Sequence, residues 1–365
     1  MSFPFLQPYA GLSNSLQTAQ AVGGAGGIGG WVELGRTTLG SANSSMSVSS
    51  LPDKRYYMVL TFVTSETTNS DVSARFNSDT GSNYARRGTY NGRADFTGIN
   101  STTMNWIITD SIKPDAPMLG VHYISNLASK EKLVMGEGSR SNAVTSGAGG
   151  VAGVPSRSSV AQKWVNTSNA IDEIETYVSS QFNSGSELVV LGWDPDDTHT
   201  TNFWEELASV ELGGAGDNLS SGTISAKKYL WVQAWFKNGG GTNRILPGMR
   251  FNNDSGSNYA YRRSIDGGAD GTATSLTNLH ALGTSISGAN QFYNFFILNN
   301  SANEKVAIFH AVDMQPGTGA GNAPRRSESA GKWANTSAQI TEVEFDNLDT
   351  GDFGTGSIIK VWGAD

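Results

Sequence analysis

The feature that most constrains this sequence is an internal repeat. The stretch Arg75–Ala85 returns as Arg250–Ala260 with nine of eleven residues identical. A second pair of stretches, Lys163–Glu175 and Lys332–Glu344, shares eight of thirteen residues. Self-similarity at a fixed spacing is the signature of a duplicated structural unit. The chain is therefore expected to contain two copies of one fold in tandem.

The repeat also sets the domain boundaries. Matching landmarks begin at Trp31 in the first copy and at Trp204 in the second, and they continue to the end of each copy. We predict a first domain over residues 31–200 and a second over residues 201–365. Each would have roughly 165 residues, an ordinary size for a domain with its own core. Residues 1–30 belong to neither copy.

Composition favours β-structure in both copies. Charged residues make up only 16% of the chain, and 44 glycines separate short runs of aromatic and β-branched residues. Runs such as Tyr56–Thr64 have the length of a strand. The run Ile171–Val178 would also fit a helix, but its second copy, Ile340–Leu348, alternates less helically and favours a strand. We predict an all-β chain of two antiparallel, jelly-roll-like β-sandwiches of about eight strands each, preceded by an N-terminal arm.

The first thirty residues have an unusual composition. They contain no charged residue and no histidine, and they end in the glycine-rich stretch Gly23–Gly30. A disordered tail is one interpretation, but solvated tails normally carry charge and few aromatic residues. We therefore predict an arm that docks on another protein through a flexible glycine hinge. Its predicted docking residues are Phe3, Phe5, Leu6, Tyr9 and Leu12.

Charge and residue usage argue against several classes of protein. A net charge of −8 and a pI near 5.1 are opposite to the basic surface that a nucleic-acid binder needs. No apolar run approaches the roughly 20 residues of a transmembrane helix, so membrane insertion is not expected. The chain has no cysteine and hence neither disulfides nor thiolate metal sites. The N-terminus lacks the positive start of a signal peptide.

The repeated turn raises the question of a metal site. Asn77, Asp79, Gly81 and Asn83 place oxygen-bearing side chains around a glycine, as calcium loops do. The glutamate that such loops need at position twelve is missing, because Gly88 stands there. Asn, Asp and Gly also favour tight turns, and we prefer this structural interpretation. No cofactor is expected.

Catalysis finds little support in the sequence. The four histidines fall at non-equivalent positions of the two copies, so no histidine-based site is duplicated. Nucleophile-elbow and phosphate-loop motifs are missing from the sequence. We assign no catalytic residue and expect a protein that is not an enzyme.

Two long polar segments are candidates for surface binding. Gly136–Ser159 and Asp313–Ser329 precede the same strand in their respective copies, and long loops on rigid β-scaffolds often carry binding sites. The second segment contains a basic doublet, Arg325 and Arg326, which would suit a phosphate or an acidic glycan. Among the tryptophans, Trp164 and its equivalent in the second copy are expected in the cores.

Several stretches of the chain resemble virion structural proteins of tailed bacteriophages, especially phages of marine bacteria and cyanobacteria. They include "FPFLQPYAGLSNSLQTAQ" in the arm, "RFNSDTGSNYARR" in the first copy and "KWANTSAQITEVE" in the second. The resemblance covers nearly the whole chain. It implies a place in the virion, with assembly in the bacterial cytoplasm, and it assigns no residue a role.

The resemblance and the layout together suggest a specific role. We expect a capsid decoration protein or a fibre-type appendage, anchored by its arm to other virion proteins and forming a homo-oligomer, with a trimer favoured. The alternative is a lectin-like tail or head fibre protein that recognises host surface glycans through Asp313–Ser329 and its counterpart.

Overall fold

The computed structural model describes residues 30–68, 70–108, 116–142, 147–150, 153–195, 197, 202–240, 243–282, 286–315 and 319–365. Apart from a 3-10 turn at Gly153, the regular secondary structure in these ranges consists of strands, which confirms the all-β prediction. Within them, no helix is long and apolar enough to cross a membrane. The predicted docking residues Phe3, Phe5, Leu6, Tyr9 and Leu12 lie outside the described residues.

The described residues of the first copy form twelve strands, all of which precede residue 194. They are β1 (Val32–Thr38), β2 (Asn43–Ser49), β3 (Tyr56–Val63), β4 (Val72–Phe76), β5 (Tyr84–Tyr90), β6 (Phe96–Ser101), β7 (Met104–Ile107), β8 (Met118–Ser125), β9 (Lys132–Arg140), β10 (Ser156–Trp164), β11 (Glu173–Phe182) and β12 (Glu187–Trp193). The segment that could also have been helical is therefore a strand, β11, as predicted.

In the part of the second copy that the structure describes there are thirteen strands, and the first of them begins at Glu205. They are β13 (Glu205–Glu211), β14 (Asn218–Ser220), β15 (Tyr229–Phe236), β16 (Arg244–Ile245), β17 (Pro247–Phe251), β18 (Tyr259–Ile265), β19 (Gly271–Leu276), β20 (Ile286–Ser287), β21 (Gln291–Leu298), β22 (Lys305–Asp313), β23 (Arg325–Trp333), β24 (Val343–Asn347) and β25 (Ile358–Ala364). The predicted boundary near residue 200 falls between β12 and β13.

Each copy is an antiparallel, jelly-roll-like β-sandwich with one large sheet. In the first domain the large sheet has the strand order β1-β12-β3-β8-β9-β10-β5-β6, and the small sheet has the order β2-β11-β4-β7. In the second domain the large sheet has the order β13-β25-β15-β21-β22-β23-β18-β19, facing the small sheet β14-β24-β17 and the pair β16-β20. The strand order of the large sheet is thus the same in both domains.

The prediction of about eight strands per domain was wrong. Eight strands fill the large sheet alone, and the small sheets add the rest. The strands that the sequence did not reveal are short or polar, such as β2 and β6 in the first domain and β19 in the second. Only one face of such a strand meets the core, so its apolar pattern is weak.

The two polar segments, between β9 and β10 and between β22 and β23, are shorter than predicted. Strand β9 continues to Arg140 and β10 begins at Ser156, although both strands are rich in Gly and Ser. Gly136 is required within β9, because a Cβ atom there would overlap the ring of His122 on the neighbouring strand. The corresponding segment of the second domain is confined to residues 314–324.

The core of each domain lies between its two sheets. In β3, alternate residues such as Tyr57, Val59 and Val63 point into the first domain's core. The intervening Met58 and Leu60 are equally buried but belong to a different apolar cluster. The large sheet is therefore covered on both of its faces.

Candidate functional site

The repeated turn is a structural device in both domains. Asp79 accepts hydrogen bonds from the Gly81 amide (2.8 Å), the Asn83 side chain (2.9 Å) and Nε1 of Trp164 (2.7 Å). Burial would raise the pKa of Asp79, but these donors outweigh it and hold the pKa below its ordinary value. The carboxylate is therefore occupied by donors of the chain itself, as the structural interpretation of the turn requires.

The second copy repeats this arrangement. Asp254 accepts from the Gly256 amide (2.8 Å), the Asn258 side chain (2.9 Å) and Nε1 of Trp333 (2.6 Å). Trp333, like its equivalent in the first domain, is buried, which confirms the core prediction for both tryptophans. Among the described residues, no group of three His, Asp or Glu side chains is arranged to hold a metal ion.

The basic doublet has two different environments. Arg325 is the first residue of β23, and its buried guanidinium donates from Nε to Asp313 (2.8 Å). Arg326 is more exposed and is paired with Glu328. Both predicted surface-binding cations therefore face a carboxylate of the same chain, and one of them is largely removed from the surface.

The largest apolar feature outside the two cores is the contact between the domains. The outer faces of the two large sheets meet in one cluster that combines side chains from both. The first domain contributes Met58, Leu60, Phe62, Leu119, Val121, Val189 and Leu191. The second domain contributes Trp204, Tyr229, Phe296, Leu298, Val306, Ile308, Trp362 and Ala364. The two sandwiches are thus joined by a hydrophobic core of their own.

Buried charges frame this interdomain core. Glu187 of the first domain accepts from the Tyr229 hydroxyl (2.8 Å) and pairs with Lys228 (3.0 Å) of the second. Burial would raise the pKa of Glu187, but a hydrogen bond from Thr38 and the charge of Lys228 outweigh it, and the pKa is lowered. A carboxylate held in this way remains ionised and fixes the relative position of the two sheets.

A second buried ion pair also joins the two domains. Both Nε (3.0 Å) and Nη2 (2.6 Å) of Arg157, at the start of β10, bind Oδ1 of Asp270, which lies just before β19. Arg262 joins the same carboxylate at 3.7 Å and also donates from Nε to the Pro155 carbonyl (2.9 Å). Paired and hydrogen-bonded, these charges can be buried without a large desolvation loss.

An aromatic groove borders the interdomain core on the first domain. Its walls are Trp31 before β1, Tyr56 of β3, Tyr123 of β8 and Trp193 of β12. The rings of Tyr56 and Trp193 are stacked with centroids 5.4 Å apart, and Trp31 lies 6.3 Å from Trp193 and 6.5 Å from Tyr123. The groove has a volume of about 490 Å³. We call it the aromatic groove.

The rim of the aromatic groove is apolar and open to solvent. Leu133 and Met135 of β9 project from the sheet with exposed fractions of 57% and 64%. Together with the neighbouring aromatic rings, these side chains form a contiguous exposed apolar patch. Such patches commonly mark binding sites. The chemistry that the groove offers is therefore apolar packing and ring stacking, with few hydrogen-bonding groups.

A smaller cleft of about 240 Å³ continues the aromatic groove across the domain boundary. Tyr123 and Met135 line both cavities, and the second domain adds Phe296 and His310. His310 contacts Glu137 of the first domain at 2.7 Å. Burial would lower the pKa of His310, but the bond and charge of Glu137 outweigh it and the pKa is raised.

The sequence did not identify this site. The groove residues are separated by up to 162 positions, from Trp31 to Trp193, and only the fold brings them together. Trp193, the last residue of β12, is half-buried in the groove wall. Trp204 and Trp362 are instead buried in the interdomain cluster.

Comparisons with known proteins give no identity. No protein-family model matches the chain. No curated protein matches it either. Among solved structures it is similar to domains LG4-5 of the mouse laminin α1 chain, at 10% identity over 91% of this chain and 89% of that one, with a TM-score of 0.19. A similarity to the LG1-3 region of the laminin α2 chain has 8% identity, 88% and 64% coverage and a TM-score of 0.20. These values carry no argument about function.

Proposed function

We propose that this chain is a non-enzymatic structural protein of a bacteriophage virion, a capsid decoration protein or fibre-type appendage anchored by its N-terminal residues. The observation that carries the proposal is the interdomain core, in which two sandwiches are fused into one unit by apolar side chains and buried ion pairs. Such a unit suits a building block that must keep its shape. The resemblance of the sequence to virion proteins supports the location.

The site chemistry supports the same proposal. The aromatic groove is lined by rings and aliphatic side chains, and the carboxylates at its border are paired, as Glu137 is with His310. Enzymes instead place titratable groups with opposed pKa shifts around a substrate. The surface is thus suited to holding a partner through shape and apolar contact.

The test is deletion of residues 1–30 in the particle that carries the protein. We expect the remaining domains to fold with the same far-UV circular dichroism and thermal stability, whereas incorporation into purified particles, measured by quantitative mass spectrometry, is lost. A truncated protein that is incorporated at the level of the full chain would contradict the proposed anchoring. The number of copies per particle separates the two roles, since hundreds indicate a capsid component and a few dozen or fewer indicate a tail or fibre.

The lectin-like alternative remains a separate proposal with its own test. It places glycan binding on Asp313–Ser329 and its counterpart Gly136–Ser159. Within the first of these segments, Arg325 is engaged by Asp313 and Arg326 by Glu328. These contacts favour the structural role. Binding of residues 31–365 to host surface polysaccharide, lost in Arg326→Ala, would instead support the lectin function.

A further inference from the structure

The duplication allows each residue of the aromatic groove to be compared with its equivalent in the second domain. The offset is constant across the relevant strands, because Tyr56 pairs with Ser125 just as Tyr229 pairs with Leu298, 173 positions later (229 − 56). Trp31, Tyr56 and Tyr123 form the groove in the first domain. Their equivalents are Trp204, Tyr229 and Phe296. All three equivalents are buried in the interdomain core.

The rim of the groove follows the same rule. Leu133 and Met135, the exposed pair on β9, correspond to Val306 and Ile308 on β22, which are buried against the first domain. The aromatic groove is therefore the same half of the sheet face that the second domain uses to bind a sandwich.

An ion pair beside the groove gives independent support. Glu304 and Lys332 pair at 3.0 Å in the second domain and are buried, because the first domain covers them with the Ser141 hydroxyl and the Gly147 amide (2.6 Å). The equivalent pair in the first domain, Glu131 and Lys163 at 2.8 Å, lies on the surface. The first domain thus carries the apolar and the polar parts of a docking face.

Part of the complementary half of the sheet face is exposed on the second domain. The first domain contacts the second with Phe62 and Leu119, which are cross-strand partners on β3 and β8. Their equivalents, Trp235 and Phe292, are cross-strand partners on β15 and β21 and are 37% and 39% exposed. Val312 adjoins Phe292 on β22 and is also exposed. The second domain therefore presents large apolar side chains at these positions, while Leu60, Val121 and Val189 of the first domain correspond to the polar residues Gln233, Asn294 and Lys360.

We infer that the aromatic groove binds a second copy of this chain, which inserts the surface formed by Trp235, Phe292 and Val312 of its second domain. The contact repeats between chains the pairing of sheet halves that joins the two domains within a chain. Because the two surfaces differ, the association is head-to-tail, and it forms a ring if the rotation closes and an open chain if it does not. The trimer expected from the sequence is one such ring.

This inference deepens the proposed structural role, and it rests on that role only for the biological use of the assembly. The groove favours this occupant over a glycan because its lining offers few hydrogen-bonding groups. The equivalent surface of the second domain binds an apolar sheet face, namely that of the first domain. It is also continuous with the interdomain core through Tyr123 and Trp31, which pack against that core. A second sandwich seated there would extend an existing interface.

The experiment uses the full chain and three variants, each altered only at exposed positions. Met135→Glu places a charge in the groove rim, Phe292→Glu places one in the opposite surface, and Ile99→Glu on β6, 78% exposed, is the matched control outside both surfaces. Self-association is measured by sedimentation velocity over a concentration series. We expect Met135→Glu and Phe292→Glu each to weaken it on the order of thirtyfold or more, as expected for loss of a central anchor, and Ile99→Glu to leave it unchanged.

Mixing the two disrupted variants tests the head-to-tail arrangement. The intact groove of Phe292→Glu and the intact second-domain surface of Met135→Glu should combine into a dimer that grows no further. Self-association that persists in both variants would overturn the inference, as would equal weakening without rescue on mixing. Association lost only on deletion of residues 1–30 would identify the N-terminal residues as the occupant and would also overturn it. The particle test of the proposed function is read separately from all of these outcomes.

Discussion

In the repeated turn, the residues that recur in both copies are largely those whose atoms take part in one hydrogen-bond network. Asp254 collects a backbone amide, a side-chain amide and the indole N–H of Trp333 on two carboxylate oxygens. The hydroxyl of Tyr259 accepts from the Phe251 amide (3.0 Å) and donates to the Asp254 carbonyl (3.1 Å). The residues that recur in both copies are thus largely those that close this network.

Replacing Asp254 with Asn tests the network. One carboxylate oxygen becomes an NH₂ group that faces other donors, so we expect Asp254→Asn to lower the free energy of unfolding by about 1–3 kcal/mol. Asp79→Asn in the first domain is the matched variant and should have an effect of the same size. Urea denaturation followed by tryptophan fluorescence measures both. Added calcium should restore neither variant, and stabilisation of the wild-type protein by calcium would contradict the structural role of the turn.

A second residue links burial to pH. His122 is fully buried, its ring lies 3.7 Å from that of Trp106, and its Nε2–H donates to the Trp106 carbonyl (2.8 Å). Burial lowers its pKa to about 3, whereas an unfolded histidine titrates near 6.5. The unfolded chain therefore binds the proton first as the pH falls. The contribution of neutral His122 to stability is complete above about pH 6.5 and is lost progressively below it.

The comparison of wild type with His122→Gln isolates this effect, because all other titrating groups are common to both proteins. We expect the stability advantage of the wild type at neutral pH to shrink by about 1.4 kcal/mol for each pH unit between about 6 and 4. The measurement is urea unfolding of both proteins at several pH values. A difference that does not change with pH would show that His122 is not held neutral.

At the scale of the element, the sequence predicted the fold well and the site poorly. Strand β3 was recognisable because its residue types and length left few alternatives. Strand β11 also fitted a helix, and only the less helical pattern of its second copy favoured a strand. The run Tyr56–Val63 is apolar at almost every position, a pattern typical of strands buried on both faces. In the structure, the second domain covers part of the outer face of this sheet.

The identity of that cover could not be read from the strands. Met135 and its equivalent Ile308 are both apolar, yet one is 64% exposed and the other is buried in the interdomain core. Local pattern is the same for both, and the difference arises only from which half of each sheet meets the other domain. The aromatic groove could not be predicted from the sequence for the same reason. It is the part of the first domain's large sheet that stays uncovered after the two large sheets have packed.

At the scale of the whole molecule, the interdomain core makes the two sandwiches one thermodynamic unit. Tandem domains joined by polar contacts commonly unfold separately, but here neighbouring residues of one strand divide between two cores. Val59 of β3 packs inside the first domain, and Leu60 packs against the second. Opening the contact would expose the apolar cluster to water. It would also leave the carboxylates Glu187 and Asp270 without the cations that they pair with.

We therefore predict a single unfolding transition for the full chain, with equal calorimetric and van't Hoff enthalpies. Leu60→Ala should cost about 2–5 kcal/mol, the usual effect of truncating a buried leucine, and it should increase amide exchange in β15 and β21 of the second domain as well as in β3. Val59→Ala serves as the control. It should increase amide exchange only within the first domain, while its loss of stability should still shift the common unfolding transition. Two resolved transitions, with Leu60→Ala shifting only one, would mean that the apolar cluster does not couple the domains. The same coupling would transmit the effect of a second copy bound in the aromatic groove to Trp235 and Phe292, which lie on the large sheet of the second domain. Each added chain would then meet a surface that is already held in its binding geometry.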